Sequence, residues 1–157
     1  MPLFTHVLAP IDFGEMTDDV IDVAIGMARK FDVPLTVTHA FFIEPFAYAN
    51  GFYVPIEEVM REARTTLDAA VDKIRERYPK VDGVLAHGDP SQEILRVAKT
   101  QKADLIVMAT HGRCGLSRVL LGSVAEKVVR LSPVPVLTVS GRHAPEKKEE
   151  AQAETSG

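Results

Sequence analysis

LIVMATHGRCGLSRVLLGSVAEKVVRLSPVPVLTV, residues 105–139, holds one full strand–helix–strand unit. Leu105–Ala109 is a near-continuous apolar run, as expected of a strand at the centre of a parallel sheet covered on both faces. A glycine-bearing loop, Thr110 to Leu116, leads out of it. Val124, Val128 and Leu131 then recur at helical spacing, and Ser132-Pro133 stops the helix. Val134–Val139 (VPVLTV) is a second apolar strand.

The same alternation extends back to the first residues. His6–Pro10 (HVLAP) reads as a buried strand. Thr17–Phe31 places Val20, Ala24, Met27, Ala28 and Phe31 on one stripe, with Thr17 as expected N-cap and Asp18 and Asp19 in the first turn. Pro34–Ala40 is a strand with β-branched Thr36, Val37 and Thr38. Ile56–Tyr78 is an amphipathic helix with Ile56, Met60, Ala63, Leu67, Ala70, Val71, Ile74 and Tyr78 on its apolar face. Val81–Ala86 is a short strand weakened by Gly83. Asp89, Pro90 and Gln92 suit the N-cap, N1 and N3 positions of a helix running through Ile94, Leu95 and Ala98. Strands alternating with helices predict a three-layer α/β fold: an open parallel five-stranded sheet with helices on both faces and right-handed crossovers. On such sheets ligands bind beyond the carboxyl ends of the strands, where the strand order reverses. The loops after the first, second and fourth strands are therefore the places to inspect.

Composition narrows the classes. The chain has 157 residues, 46% hydrophobic and 25% charged, which fits one soluble domain over residues 1–140. Gly141–Gly157 has no large apolar residue and reads as a disordered polar tail. A net charge of −4 and a pI near 5.7 argue against nucleic acid as a partner. The single cysteine, Cys114, rules out an intrachain disulfide and agrees with a reducing, cytoplasmic setting. No basic stretch precedes a long apolar run at MPLFTHVLAPIDF, and no run approaches the length of a membrane span, so neither a signal peptide nor a membrane is expected.

The loop after the fourth strand has the parts of an anion site. Gly112 and Gly122 have nine residues between them, and Ser123 follows. Glycine at a strand end lets the backbone approach a ligand. A Gly-Ser pair before a helix offers free N–H groups, a hydroxyl and the positive end of the dipole. Arg113 and Arg118 add positive charge. The spacing is neither that of a Walker A loop nor GxGxxG.

Over about Phe4 to Val139 the chain resembles the universal stress protein family. The likeness rests on Pro10-Ile11-Asp12 after the first strand, on His87-Gly88-Asp89-Pro90, and on Ala109 to Arg130, which is similar to the motif G-x2-G-x9-G-[S/T]. The resemblance implies a Rossmann-like fold of the adenine nucleotide alpha-hydrolase kind and, in the nucleotide-binding branch, ATP, with or without Mg or Mn. It places Pro10 near the adenine, Asp12 at the ribose, the backbone of Ala40 at the base, and Met108 and Ala109 beside base and ribose. Gly112 and the loop after it (Arg113 and Gly115), with Gly122, Ser123 and Val124, would hold the phosphates. It also implies a homodimer formed by the last strand, Val136–Val139, which reads as an exposed edge. One departure stands out: Ala109 occupies the first motif glycine, and its Cβ is harmless only if the backbone keeps negative φ and the methyl points aside.

Plainer readings stand beside these. Asp12 also suits a cap for the first helix, and Ser123 a helix N-terminal hydroxyl. His39, His87 and His111 lack metal-ligand spacing. Cys114 lies in an electropositive loop that would lower a thiol pKa. No general base aimed at a γ-phosphate is evident, so the expected role is a regulatory module with slow hydrolysis or self-phosphorylation at most. An alternative is a nucleotide-free interaction module using the segment 41–53, which holds six of the ten aromatic residues.

Overall fold

The computed structural model describes residues 2–43, 55–111 and 121–141. Five strands, β1 (Val7–Pro10), β2 (Leu35–Phe41), β3 (Val81–His87), β4 (Leu105–Ala109) and β5 (Val136–Val139), pair in parallel in the order β3-β2-β1-β4-β5. Between them run α1 (Thr17–Phe31), α2 (Ile56–Arg77), α3 (Pro90–Thr100) and α4 (Ser123–Leu131). Strands alternate their side chains between faces, and both faces are apolar here. Val7, Ala9, Leu105 and Val107 join a core with α1 and α2, whereas Leu8, Ile106 and Met108 join a second core with α3 and α4. The expected three layers are what the chain forms.

The chain runs from β1 outward to β2 and β3, then crosses to β4 and β5 on the other side of β1. Order therefore reverses between β1 and β4, and their carboxyl ends diverge to opposite helical layers. That divergence opens a crevice by geometry alone.

Two close contacts explain odd sequence choices. A Cβ on Gly83 would sit 2.8 Å from Val71 Cγ2, so the glycine in β3 lets α2 lie against the sheet. At the opposite end of the sheet, Asp104 accepts from the Thr5 N–H, the Thr5 hydroxyl and the His6 N–H. Burial pushes the Asp104 pKa up, but these donors prevail and hold it below the usual carboxylate value.

Three expectations are corrected. Thr17 does not cap α1: Met16 holds that position without a side-chain cap bond, and the Thr17 hydroxyl is buried without a partner. Ile56 and Met60 stand 40% and 39% exposed, because only the later part of α2 (Leu67, Val71 and Ile74) reaches the sheet. The last strand begins at Val136 rather than Val134. The tail and most of the aromatic segment lie outside the described residues. Among those residues, no helix is long and apolar enough to cross a membrane.

Candidate functional site

The crevice at the reversal point has a volume of about 510 Å³, within the usual range for small-molecule sites. One side of it begins at the end of β1. The Ile11 N–H donates to Thr38 O at 2.8 Å, extending the pairing with β2 one residue past the strand. Asp12 Oδ1 then accepts from the Gly14 N–H at 2.8 Å, an Asx turn. Phe13, between them, adopts φ 59°, a left-handed conformation that costs a non-glycine residue about 1–2 kcal/mol. The Phe13 ring packs edge-on against His39 with centroids 4.8 Å apart, and His39 Nδ1 lies 2.9 Å from Ile11 O. This packing holds the turn, and with it the Asp12 carboxylate, at the strand end.

The other side is the passage from β4 to α4. The Thr110 N–H donates to Val139 O, and Thr110 O accepts from the Gly122 N–H at 2.7 Å. That last bond ties the start of α4 to the end of β4. The Gly122 amide is thus engaged within the protein and is not a ligand donor, contrary to the expectation for this glycine. The first helical bond of α4 runs from the Glu126 N–H to Gly122 O. The amides of Ser123, Val124 and Ala125 therefore have no acceptor inside the helix and face outward at its positive end. Around the crevice, Ala40, Ile94, Met108 and Val124 supply apolar surface.

α3 starts at the same rim. Asp89 caps it, with Oδ1 accepting from the Gln92 N–H at 3.0 Å and from the Ser91 hydroxyl. The Ser91 hydroxyl, followed by the Gln92 amide, holds the Asp89 carboxyl below its usual pKa. Pro90 at N1 and Ile94 one turn later both line the crevice.

Of the residues singled out from sequence, Pro10, Asp12, Ala40, Met108, Ala109, Gly122, Ser123 and Val124 all line this one crevice. Gly112, Arg113 and Gly115 lie outside the described residues. Ala109 is an ordinary strand residue, not among those with positive φ, and its methyl packs against the α1-side core. The backbone condition for a harmless Cβ is met. Sequence reasoning missed Thr17, Val20 and Ile94 as lining residues. Val20 and Ile94 sit at core-facing helical spacing, so no local signal separates a crevice wall from the core beneath it. Among the described residues, no three His, Cys, Asp or Glu side chains gather to hold a metal.

The fold and crevice define a Rossmann-like α/β protein with an open crevice at its topological switch point. Its family follows from comparison: the universal stress protein family pattern matches residues 3–140, and the chain belongs to that family. It is 34% identical over 140 residues to universal stress protein MJ0531 of Methanocaldococcus jannaschii, covering 87% of this chain and 82% of that one. Among solved structures, that of the hypothetical protein MJ0577 superposes with a TM-score of 0.75 at 23% identity, over 90% of this chain and 99% of the other. A universal stress protein in complex with cAMP superposes with a TM-score of 0.59 at 26% identity, over 87% and 96%.

Proposed function

We propose that this chain is a cytoplasmic regulatory module that binds an adenine nucleotide, ATP with or without Mg or Mn, and works as a homodimer. The observation that carries the reading is the convergence of eight sequence-assigned residues on one crevice, apolar towards β2 and lined with helix amides towards α4. A flat base suits the apolar side near Ala40 and Met108. Phosphates suit the free amides of Ser123 and Val124. Because β1 lies between β2 and β4 in the sheet, a ligand spanning these two ends lays its sugar over β1, beside Asp12. The related protein in complex with cAMP supports an adenine nucleotide as the ligand class.

Isothermal titration of ATP into nucleotide-stripped protein, with and without Mg, tests this. Saturable heat at or below millimolar ATP is expected, and its absence overturns the reading. Gly122→Val should weaken binding at least about tenfold, because a branched side chain at the mouth of α4 crowds the phosphate position. Gly122 has φ −60°, which any residue adopts, so the variant should keep its thermal melt.

A second reading, a nucleotide-free interaction module, draws on Phe42, which is 52% exposed at the start of the aromatic segment. Acid extraction of the purified protein separates the two, since released adenine nucleotide eliminates this one.

A further inference from the structure

We propose that Thr17 reads the sugar of the bound nucleotide, holding one of its two vicinal hydroxyls while Asp12 holds the other. The proposal rests on the nucleotide reading above and adds a selectivity residue to it.

Thr17 is the first residue of α1 and lines the crevice five positions after Asp12. Its hydroxyl oxygen is shielded from solvent and has no hydrogen-bond partner, and among the described residues it is the only buried side-chain polar atom in that state. Folded proteins seldom leave such a group unpaired, because desolvation without a bond is costly. The usual employment of threonine at a helix start is capping, and Met16 already occupies the cap position. A 120° rotation about Cα–Cβ carries the hydroxyl to another staggered position, so it can turn to a partner that enters the crevice.

Asp12 supplies the other half. Its Oδ1 is taken by the Gly14 N–H, and Oδ2 has no bond among the described residues. A carboxylate oxygen only accepts, whereas a threonine hydroxyl donates and accepts. Together they match a pair of adjacent alcohols, each of which needs one partner. The sugar is the part of a nucleotide that lies over β1 when the base is at Ala40 and the phosphates are at α4. A ligand with both hydroxyls satisfies the orphaned group, and a ligand lacking one leaves it buried and unpaired.

The test is titration of ATP, 2′-deoxyATP and 3′-deoxyATP into the wild-type chain, Thr17→Val and Thr17→Ser, with thermal melts of each chain alone. Wild type should prefer ATP over one deoxy analogue by about fivefold or more, the size of one neutral hydrogen bond. Thr17→Val should lose about that factor for ATP and bind the same analogue as wild type does. Thr17→Ser should restore the preference. Alone, Thr17→Val should melt no lower than wild type, since it removes an unpaired hydroxyl and keeps the shape. Equal losses for all three nucleotides, no loss for any, or a lower melt of unliganded Thr17→Val would overturn the assignment while leaving ATP binding intact. Wild type that binds none of the three fails the nucleotide reading itself, before any substitution is made, and this proposal falls with it.

Discussion

Ala109 shows how a single methyl is judged by its direction. A glycine-to-alanine change in a ligand loop threatens the site only where the Cβ points at the ligand or the backbone needs positive φ. Here the methyl continues the alternation of Leu105 and Val107 and enters the α1-side core. Gly83 is the opposite case. Its added Cβ would meet Val71 Cγ2 at 2.8 Å, with Leu67 Cγ at 3.4 Å behind it. Gly83→Ala should therefore cost about 1–3 kcal/mol in urea denaturation through overpacking. Val71→Ala in the same chain should recover part of that loss. In the sequence Gly83 reads only as a weak point in a strand. Its function as a seat for α2 requires knowing which helix residue faces it.

At the scale of elements, what the sequence revealed depended on whether the signal was local. The start of α3 was legible because Asp89, Pro90 and Gln92 are neighbours whose cap geometry is set by the backbone itself. Asp89→Ala should cost about 1 kcal/mol of stability, and Asp89→Asn much less, because asparagine also caps. The difference depends on pH. Folding holds the Asp89 pKa below its ordinary 3.8, so the charged cap contributes fully above that value and fades as pH falls through the lower folded value. Denaturation midpoints of wild type and Asp89→Ala should converge in acid. The start of α1 was misread because Thr17 has the chemistry of a cap, while the path of the chain through the left-handed Phe13 puts Met16 there instead. In α2 the apolar stripe runs the full length of the helix, yet the sheet extends only under its later turns. The edge of the sheet is a tertiary fact that periodicity does not carry. The candidate site was legible where a motif marks it, at Asp12 and Gly122–Val124, and not where the crevice borrows core-like side chains such as Ile94.

In the whole molecule, two cores sandwich one sheet, and every strand but the outer two has both edges paired. β5 is one of those outer strands. Pro135 O and Val139 O accept from the Ile106 and Thr110 amides, so residues 135, 137 and 139 turn their backbone groups towards β4. By alternation, Thr138 turns its N–H to the open edge. Thr138→Pro removes that donor without breaking a bond to β4. If two copies join along β5, light scattering should show a dimer for wild type and a 17.2 kDa monomer for Thr138→Pro, with ATP affinity unchanged. A wild-type monomer rejects the dimer. The clasp between Thr110 and Gly122 has a different consequence. It anchors the mouth of α4 directly to the sheet. A main-chain bond does not depend on side-chain identity, so the mouth of α4 keeps its place on the sheet when the side chains around it are exchanged.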